Sequence, residues 1–214
     1  MSKFNESTAT AQELWDYCML EYENRNPVVK ALVDRFYASI QETLPRLQSG
    51  DKLLEVGCGA GESTRRIVPM MANGVHYEAS EFDLRYVEIL TRTNFPVKVQ
   101  QESVYELQRD ANEFQLIVML EVLEHLEDYQ KSLSELFRVS SKFVLISVPN
   151  EPLWCVLNLL RGKYLSSLGN TPGHINHWSR GGLRKLLSTY GRVVRISTPL
   201  PWIVALVEKR GSSN

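Results

Sequence analysis

The sequence predicts an α/β fold in which seven strands form one open, doubly wound sheet that ends in an antiparallel C-terminal strand hairpin. Apolar, strand-like runs alternate with helix-like segments from residue 51 onward. This alternation is typical of parallel sheets with helical crossovers. The last two runs are joined only through Thr198-Pro199-Leu200-Pro201. That link is too short for a helical crossover, so we expect these two strands to pair antiparallel at the sheet edge.

The predicted elements follow in a regular order. Strands are predicted at residues 53–56, 75–81, 97–100, 114–120, 143–148, 193–197 and 202–208. Helices are predicted at residues 63–71, 83–93, 129–139 and 179–190. Asp83 is a suitable N-cap for the second helix. The fourth strand is apolar and includes the β-branched Ile117 and Val118, which predicts a central position in the sheet. The aromatic-rich leader, residues 12–44, is expected to be helical and to close over a ligand.

Composition narrows the function classes. A chain of 214 residues suits one domain with a sizeable core. The net charge of -1 gives no electrostatic reason to expect nucleic-acid binding. The three cysteines are scattered and lack metal-ligand spacing, so we expect a reducing, cytoplasmic location. We expect neither a bilayer-spanning segment nor a signal peptide. The sequence does not predict an oligomeric state.

The first predicted strand opens into a turn with glycine at every second position, at Gly57, Gly59 and Gly61. Glycine lets the backbone bend sharply and approach a ligand without an intervening Cβ. The helix that follows directs its free N–H groups at the same crevice. Strand, turn and helix together predict a nucleotide pocket. Glu62 occupies the position of the third glycine in the dinucleotide fingerprint, which disfavours an NAD(P)-dependent oxidoreductase as the alternative function.

The spacing Glu55-x-Gly57-x-Gly59-x-Gly61 resembles motif I of class I S-adenosylmethionine methyltransferases. Their Rossmann-like fold has five crossover strands followed by an antiparallel hairpin, which is the predicted order. The resemblance implies S-adenosylmethionine as cofactor and methyl transfer to an oxygen, nitrogen or carbon of a small-molecule acceptor, such as a lipid-like molecule or a natural product. A non-catalytic partner protein with this fold is a further alternative. We predict an N-terminal helical cap at residues 1–49 and the cofactor-binding domain at 50–210, with an acceptor-side lid insertion at 150–178.

Ligands of open α/β sheets lie at the carboxyl ends of the strands. Glu81 ends the second strand about twenty residues after the glycine turn, the offset of a ribose-binding acid. Phe82 is suited either to the adenine face or to the core. In the methyltransferase family, an acid and a small residue after the third strand read the adenine edge, and the end of the fourth strand borders the methionine half. The predicted cofactor-binding residues are Glu55, Gly57, Cys58, Gly59, Gly61, Glu81, Phe82, Glu102, Ser103, Leu120 and Glu121.

Glu121, Glu124 and His125 stand at i, i+3 and i+4, so they share one face of a helical turn. The pattern is similar to that of ubiquinone-pathway O-methyltransferases and small-RNA 2′-O-methyltransferases, in which it implies a divalent metal that binds the attacking hydroxyl. Glu-His after the fourth strand also occurs in metal-free relatives, and we favour a pocket-lining His125 without an ion. The predicted catalytic bases are His125, His177 and His174.

The long stretch after the fifth strand contains an apolar patch at residues 153–160, followed by Arg161, Lys163 and Tyr164. A loop of this length in a compact domain is usually functional. Three interpretations of residues 153–164 stay open. They form a lid over the acceptor, a peripheral contact with a membrane, or a helix that packs in the core.

Overall fold

The computed structural model describes residues 8–22, 26–151 and 175–211. The stretch 153–164 and His174 lie outside the described residues. In the described parts of the chain, no helix combines the length and the apolar character that crossing a membrane requires.

Seven strands of the described residues form one sheet. They are β1 (Lys52–Val56), β2 (His76–Glu81), β3 (Lys98–Gln101), β4 (Phe114–Leu120), β5 (Ser140–Pro149), β6 (Gly191–Ser197) and β7 (Trp202–Lys209). Their order across the sheet is β3-β2-β1-β4-β5-β7-β6. The first five strands pair in parallel, whereas β7 pairs antiparallel with both β5 and β6. The predicted seven-stranded sheet with its antiparallel C-terminal hairpin is therefore confirmed.

The helices of the described residues are α1 (Ala11–Tyr22), α2 (Pro27–Thr43), α3 (Glu62–Ile67), α4 (Leu84–Arg92), α5 (Tyr129–Val139) and α6 (Arg180–Leu187). The predicted helix at 63–71 is shorter than expected. It ends at Ile67 and is followed by a 3-10 turn, Val68–Met70, that contains Pro69, because proline lacks the N–H that an α-helix needs. Asp83 caps α4 as predicted, since its side chain accepts a hydrogen bond from the N–H of Arg85 at 2.9 Å.

The core occupies both faces of the sheet. In β4, Ile117 and Met119 belong to one apolar cluster, while Leu116 and Val118 belong to the other. Successive side chains of a strand point to opposite faces, so a strand that buries both faces must lie in the middle of the sheet. The prediction that β4 is central is confirmed.

The leader forms two helices with different positions. In α2, Phe36 and Ile40 are buried in the second core cluster, which also contains residues of β1, β4, β5 and β7. By contrast, α1 packs on α4, where Cys18 Sγ lies 3.3 Å from the hydroxyl of Tyr86. The helix α2 is thus part of the domain core, and α1 is the part of the leader beside the carboxyl ends of the strands.

Candidate active site

The glycine turn after β1 depends on three residues with positive φ, which are 76° at Gly57, 52° at Gly59 and 80° at Gly61. A Cβ on Gly57 would lie 2.6 Å from Cγ2 of Val122, and one on Gly61 would lie 2.3 Å from Cε2 of Phe95. A Cβ on Gly59 would meet no atom within 4 Å. Two of the glycines therefore make room for protein side chains, whereas Gly59 leaves open space.

That open space belongs to a cavity of about 500 Å³ at the carboxyl ends of β1, β2, β3 and β4. These four strands meet where the strand order reverses between β1 and β4, which is the usual ligand position in an open α/β sheet. The wall is largely apolar. Its residues are Val56, Gly57, Gly59, Glu81, Phe82, Tyr86, Glu102, Ser103, Val104, Tyr105, Glu121, Val122, His125 and Leu126.

Glu81 ties the glycine turn to the end of β2. Its Oε2 accepts the N–H of Gly59 at 2.8 Å, and its Oε1 accepts the N–H of Asp83 at 2.9 Å. The carbonyl of Ser80 accepts two more bonds, from the N–H of Gly57 at 2.8 Å and from that of Cys58 at 3.1 Å. The carboxylate is thereby fixed at the cavity wall.

Glu102 combines an ion pair with an unsatisfied acceptor. Its Oε1 lies 2.8 Å from Nε of Arg109, while its Oε2 is buried and has no hydrogen-bond partner. Desolvation raises the pKa of Glu102, and the Arg109 guanidinium opposes that rise. A buried acceptor without a donor is unfavourable unless a ligand supplies one. Glu102 lines the cavity, so a ligand bound there is in a position to supply that donor.

Glu121 follows β4 in a left-handed backbone conformation, with φ of 56°, that is uncommon for a residue other than glycine. Two hydrogen bonds join it to Ser147 of β5. The Ser147 hydroxyl donates to Oε1 of Glu121 at 2.6 Å, and the N–H of Glu121 donates to the Ser147 carbonyl at 3.2 Å. Desolvation raises the pKa of Glu121 to about 8, although the bond from Ser147 lowers it. Strained backbone of this kind is often found at functional sites.

Two further acids lie behind Glu121. Glu124 is 1% exposed, and its Oε2 has no hydrogen-bond partner. Burial, followed by the charges of Glu121 and Glu151, raises the pKa of Glu124 well above its ordinary value. Glu151 is also buried. The three carboxyl groups, Glu121, Glu124 and Glu151, form what we call the acidic group of the site.

The predicted histidines lie in different places. His125 lines the cavity with 46% of its side chain exposed, and its Nε2 lies 3.9 Å from Oε1 of Glu124. His177 is exposed and does not line the cavity. Its neighbour Asn176 fastens this segment to the turn after β4 by donating to the carbonyls of Leu123 and Leu126, at 3.3 and 2.7 Å. Within the described residues, no three His, Cys, Asp or Glu side chains are arranged to hold a metal ion.

Eight of the predicted site residues come together at the cavity, and five described ones do not. The eight are Gly57, Gly59, Glu81, Phe82, Glu102, Ser103, Glu121 and His125. Those outside the lining are Glu55, Cys58, Gly61, Leu120 and His177. Leu120 packs in the core, and Gly61 begins α3 beside Phe95. Predicted roles for these five in ligand binding stay predictions.

Glu55 is buried under the glycine turn rather than exposed to the cavity. Its carboxyl group accepts hydrogen bonds from the hydroxyls of Thr64 and Tyr77, both at 2.6 Å, and from that of Ser63. Burial raises the pKa of Glu55. Burial and the nearby carboxylates likewise raise the pKa of the Cys58 thiol, so this thiol stays protonated. Glu55 joins β1 and β2 to the start of α3, and so supports the turn from below.

Sequence reasoning missed several residues of the wall. Tyr86 stands in the first turn of α4, directly after the predicted ligand-binding end of β2. That position in the sequence could have indicated that Tyr86 lines the cavity. Ser147 is the one hydroxyl in the apolar run 143–148, which marks a polar contact within a buried strand. Tyr105 follows Glu102 and Ser103 in a loop without a periodic pattern. No local signal would have indicated its position.

The glycine-rich turn, the two carboxylates at the ends of β2 and β3 and the cavity between them lie where open α/β sheets bind their ligands. The chain belongs to the methyltransferase-domain family, because the model of that family matches residues 24–195. It is thus a methyltransferase with the class I fold. A comparison with curated proteins gives no sequence match.

Solved structures share this fold. A SAM-dependent methyltransferase from Aquifex aeolicus is 18% identical with a TM-score of 0.63, over 80% of this chain and 88% of that one. A methyltransferase of Haloferax volcanii, solved with its activator Trm112, is 12% identical with a TM-score of 0.64, over 84% and 92%. Magnesium protoporphyrin IX methyltransferase from Synechocystis, with bound SAH, is 15% identical with a TM-score of 0.55, over 85% and 81%. At these identities the likeness concerns the fold.

Proposed function

We propose that this methyltransferase transfers the methyl group of S-adenosylmethionine to an oxygen, nitrogen or carbon of a small, largely apolar acceptor. The observation that carries the proposal is the cavity of about 500 Å³ at the carboxyl ends of four parallel strands, with Gly59, Glu81 and Glu102 in its wall. Its volume falls in the range of small-molecule sites.

The residues present fit S-adenosylmethionine. Gly59 leaves open the space that a Cβ would fill, so the backbone can lie against the amino-acid part of the cofactor. Glu81 is a bidentate acceptor suited to two ribose hydroxyls, and Oε2 of Glu102 lacks the donor that an adenine amino group supplies. None of the described wall residues is lysine or arginine. That composition suits a cationic sulfonium and disfavours the pyrophosphate of a dinucleotide.

When bound, S-adenosylmethionine supplies an electrophilic methyl group on a positively charged sulfur. The protein has to align the acceptor and exclude water. Val104, Val122 and Leu126 supply apolar wall for this purpose. An oxygen or nitrogen acceptor also has to lose a proton, and His125, half exposed at the cavity, is the base that we propose. His177 and His174 stay predictions for this role.

Calorimetry with S-adenosylhomocysteine and with NAD tests the cofactor assignment. We expect binding of the former and none of the latter, and tighter binding of NAD would contradict the proposal. Methyl transfer from labelled S-adenosylmethionine to a panel of small metabolites, with and without EDTA, then tests the activity. Equal rates in EDTA agree with the favoured metal-free site, whereas loss of activity that Mg²⁺ or Mn²⁺ restores would support a metal at Glu121, Glu124 and His125.

The cytoplasmic location predicted from the cysteines is kept as part of this proposal. Cys58, a buried thiol that forms no disulfide, is compatible with it. Fractionation of cells that produce the protein with an antibody tag would test the location. Recovery of the protein in a membrane fraction would instead favour the peripheral contact considered for residues 153–164.

A further inference from the structure

The loop between β3 and β4 contains an arginine that reaches back to two strands of the sheet. Nη1 of Arg109 donates to Oε2 of Glu78 in β2 at 2.7 Å, and its Nη2 donates to the side-chain oxygen of Gln100 in β3 at 2.6 Å. Its Nε lies 2.8 Å from Oε1 of Glu102. The exposed fraction is 8% for the Arg109 side chain and 3% for that of Glu102. The two side chains therefore form a buried ion pair.

Further contacts fix the position of this arginine. The carbon Cζ of the Arg109 guanidinium lies 5.6 Å from the ring centroid of Phe114, a distance at which a cation is attracted to an aromatic ring. Helix α5 holds the loop itself, since Arg138 donates to the backbone carbonyls of Arg109 and Leu107 at 2.8 and 2.9 Å. Arg109 is thus held by strands, ring and loop together, and its charge has a defined place.

The ion pair leaves one oxygen of Glu102 for a ligand. Glu102 lines the cavity, whereas Arg109 does not. Oε2 of Glu102 is buried and has no hydrogen-bond partner. Desolvation raises the pKa of Glu102, the nearby charges of Glu78 and Glu113 add to that rise, and the Arg109 guanidinium opposes it. Arg109 therefore favours the carboxylate form of Glu102 over the carboxylic acid.

The two forms of Glu102 recognise different purines. A carboxylate only accepts hydrogen bonds, so it suits the 6-amino group of adenine. Against the 6-oxo group of hypoxanthine, it would leave two acceptors facing each other without a proton between them. A carboxylic acid has an O–H that can donate to an oxo group, so it discriminates less. Selection of adenine therefore depends on what keeps Glu102 a carboxylate.

We propose that Arg109 is the positioning residue for recognition of the cofactor's base, because it holds Glu102 so that Oε2 accepts a hydrogen bond from a 6-aminopurine and rejects a 6-oxopurine. The inference rests on the proposed function and assigns the selectivity of that site to a residue outside the cavity wall. Arg109 itself does not touch the cofactor, and it acts through the charge and the orientation of Glu102.

Two ligands that differ only at this position test the recognition. They are S-adenosylhomocysteine and S-inosylhomocysteine, in which a 6-oxo group replaces the 6-amino group. The ratio of their dissociation constants, measured by calorimetry, reports on the base alone, because the ligands share the ribose and the amino-acid part. We expect the unmodified protein to prefer the adenosyl compound at least about tenfold. Equal affinities would overturn the inference.

Substitution of Arg109 tests its part in that ratio. In Arg109→Gln we expect the ratio to fall at least about fivefold at pH 6 and to recover toward pH 8, because a carboxyl group without its cation is protonated at higher pH. Arg138→Gln is the matched control, since it loosens the same loop without removing the cation beside Glu102, and it should leave the ratio unchanged. An unchanged ratio in Arg109→Gln, or an equal fall in Arg138→Gln, would refute the assignment.

A second substitution shows whether Arg109 acts through Glu102. The carboxamide of Glu102→Gln both donates and accepts, so this variant should have a low ratio that does not change with pH. Adding Arg109→Gln to it should lower the ratio no further, and a further fall would contradict the proposed route. Arg109→Lys keeps the positive charge and should keep a higher ratio than Glu102→Gln. If Arg109→Gln does not fold, Arg109→Lys decides, because a ratio as low as that of Glu102→Gln would refute the role of the charge.

The result separates this inference from the proposed function on which it depends. Failure of the unmodified protein to bind S-adenosylhomocysteine would remove the proposed function itself. Binding of S-adenosylhomocysteine with the same selectivity in the unmodified protein and in Arg109→Gln would leave the proposed function intact and overturn only the role of Arg109.

Discussion

Replacing Gly59 by alanine is expected to weaken cofactor binding strongly while it lowers the stability of the fold only modestly. The new Cβ meets no protein atom within 4 Å, so it adds no clash. Stability is still lowered by the backbone conformation, because the left-handed φ of 52° at Gly59 disfavours a residue with a Cβ by about 1–2 kcal/mol. For a domain of this size, each kcal/mol lowers the melting temperature by about 2–4 °C. We therefore expect Gly59→Ala to fold with a modest loss of stability.

Gly61→Ala is the matched comparison, because it adds the same methyl group two residues further along. There the Cβ would lie 2.3 and 2.7 Å from two carbons of the Phe95 ring and 3.1 Å from Nη1 of Arg65. The ring has to move by about 1 Å to restore ordinary contact. Overpacking of this kind destabilises by about 1–3 kcal/mol in addition to the strain at φ of 80°.

The assay is thermal unfolding of both variants, together with calorimetric titration of S-adenosylhomocysteine. Gly59→Ala should lose at least about tenfold in affinity, or about 1.4 kcal/mol, because its methyl group fills the space left for the cofactor. Gly61→Ala should be the less stable of the two. Cofactor affinity in Gly59→Ala equal to that of the unmodified protein would refute the position assigned to the cofactor. Equal stability of the two variants would refute the packing argument.

Three further predictions concern the supports of the site. Arg65→Ala removes a guanidinium that lies 5.6 Å from the ring centroid of Trp15 and 5.0 Å from that of Phe95. We expect it to destabilise by about 1–2 kcal/mol and to speed hydrogen exchange in α1, and unchanged exchange there would contradict it. Because burial raises the pKa of Glu55 above its ordinary 4.5, the unfolded chain releases that proton first, and stability falls as pH rises from 4.5 toward the folded pKa. Glu55→Gln should therefore flatten the measured dependence of unfolding free energy on pH, by at most about 1.4 kcal/mol per pH unit, and an unaltered slope would argue against it. His125→Ala should bind S-adenosylhomocysteine normally but turn over more slowly, and full turnover would remove His125 from the mechanism.

A site residue could be predicted from the sequence when its position depends on the order of the strands, and not when it depends on contacts made in the folded core. Glu81, Glu102 and Glu121 each come at the end of a predicted parallel strand, and the carboxyl ends of parallel strands meet at one edge. Their convergence on the cavity was therefore predictable from the order of elements. The direction of a side chain within a strand was harder to predict. Glu55 precedes the glycine turn by two residues, yet its carboxylate lies in a buried network with Thr64 and Tyr77.

Element boundaries were predicted best where neighbouring residues carry both the hydrophobic period and the signals that begin and end the element. The limits of β4 and α5 agree with the prediction, since each has a clear hydrophobic period and well-defined ends. The strand β5 is longer than predicted because it begins at Ser140, directly after α5. The strand extends to Ser140 because Ser140 pairs with Phe114 of β4. Phe114 is distant in the sequence, so the residues around Ser140 do not indicate this pairing.

The sequence by itself determined the fold class, the order of strands and helices, the glycine turn and the class of cofactor, because hydrophobic period and glycine spacing are properties of neighbouring residues. Only the tertiary structure decided that Ser147 holds Glu121 across 26 positions of the chain, that Glu124 is buried beside it, and that α2 packs in the core. These are contacts between segments far apart in the chain. They form when the whole sheet closes its core, and no local pattern specifies them.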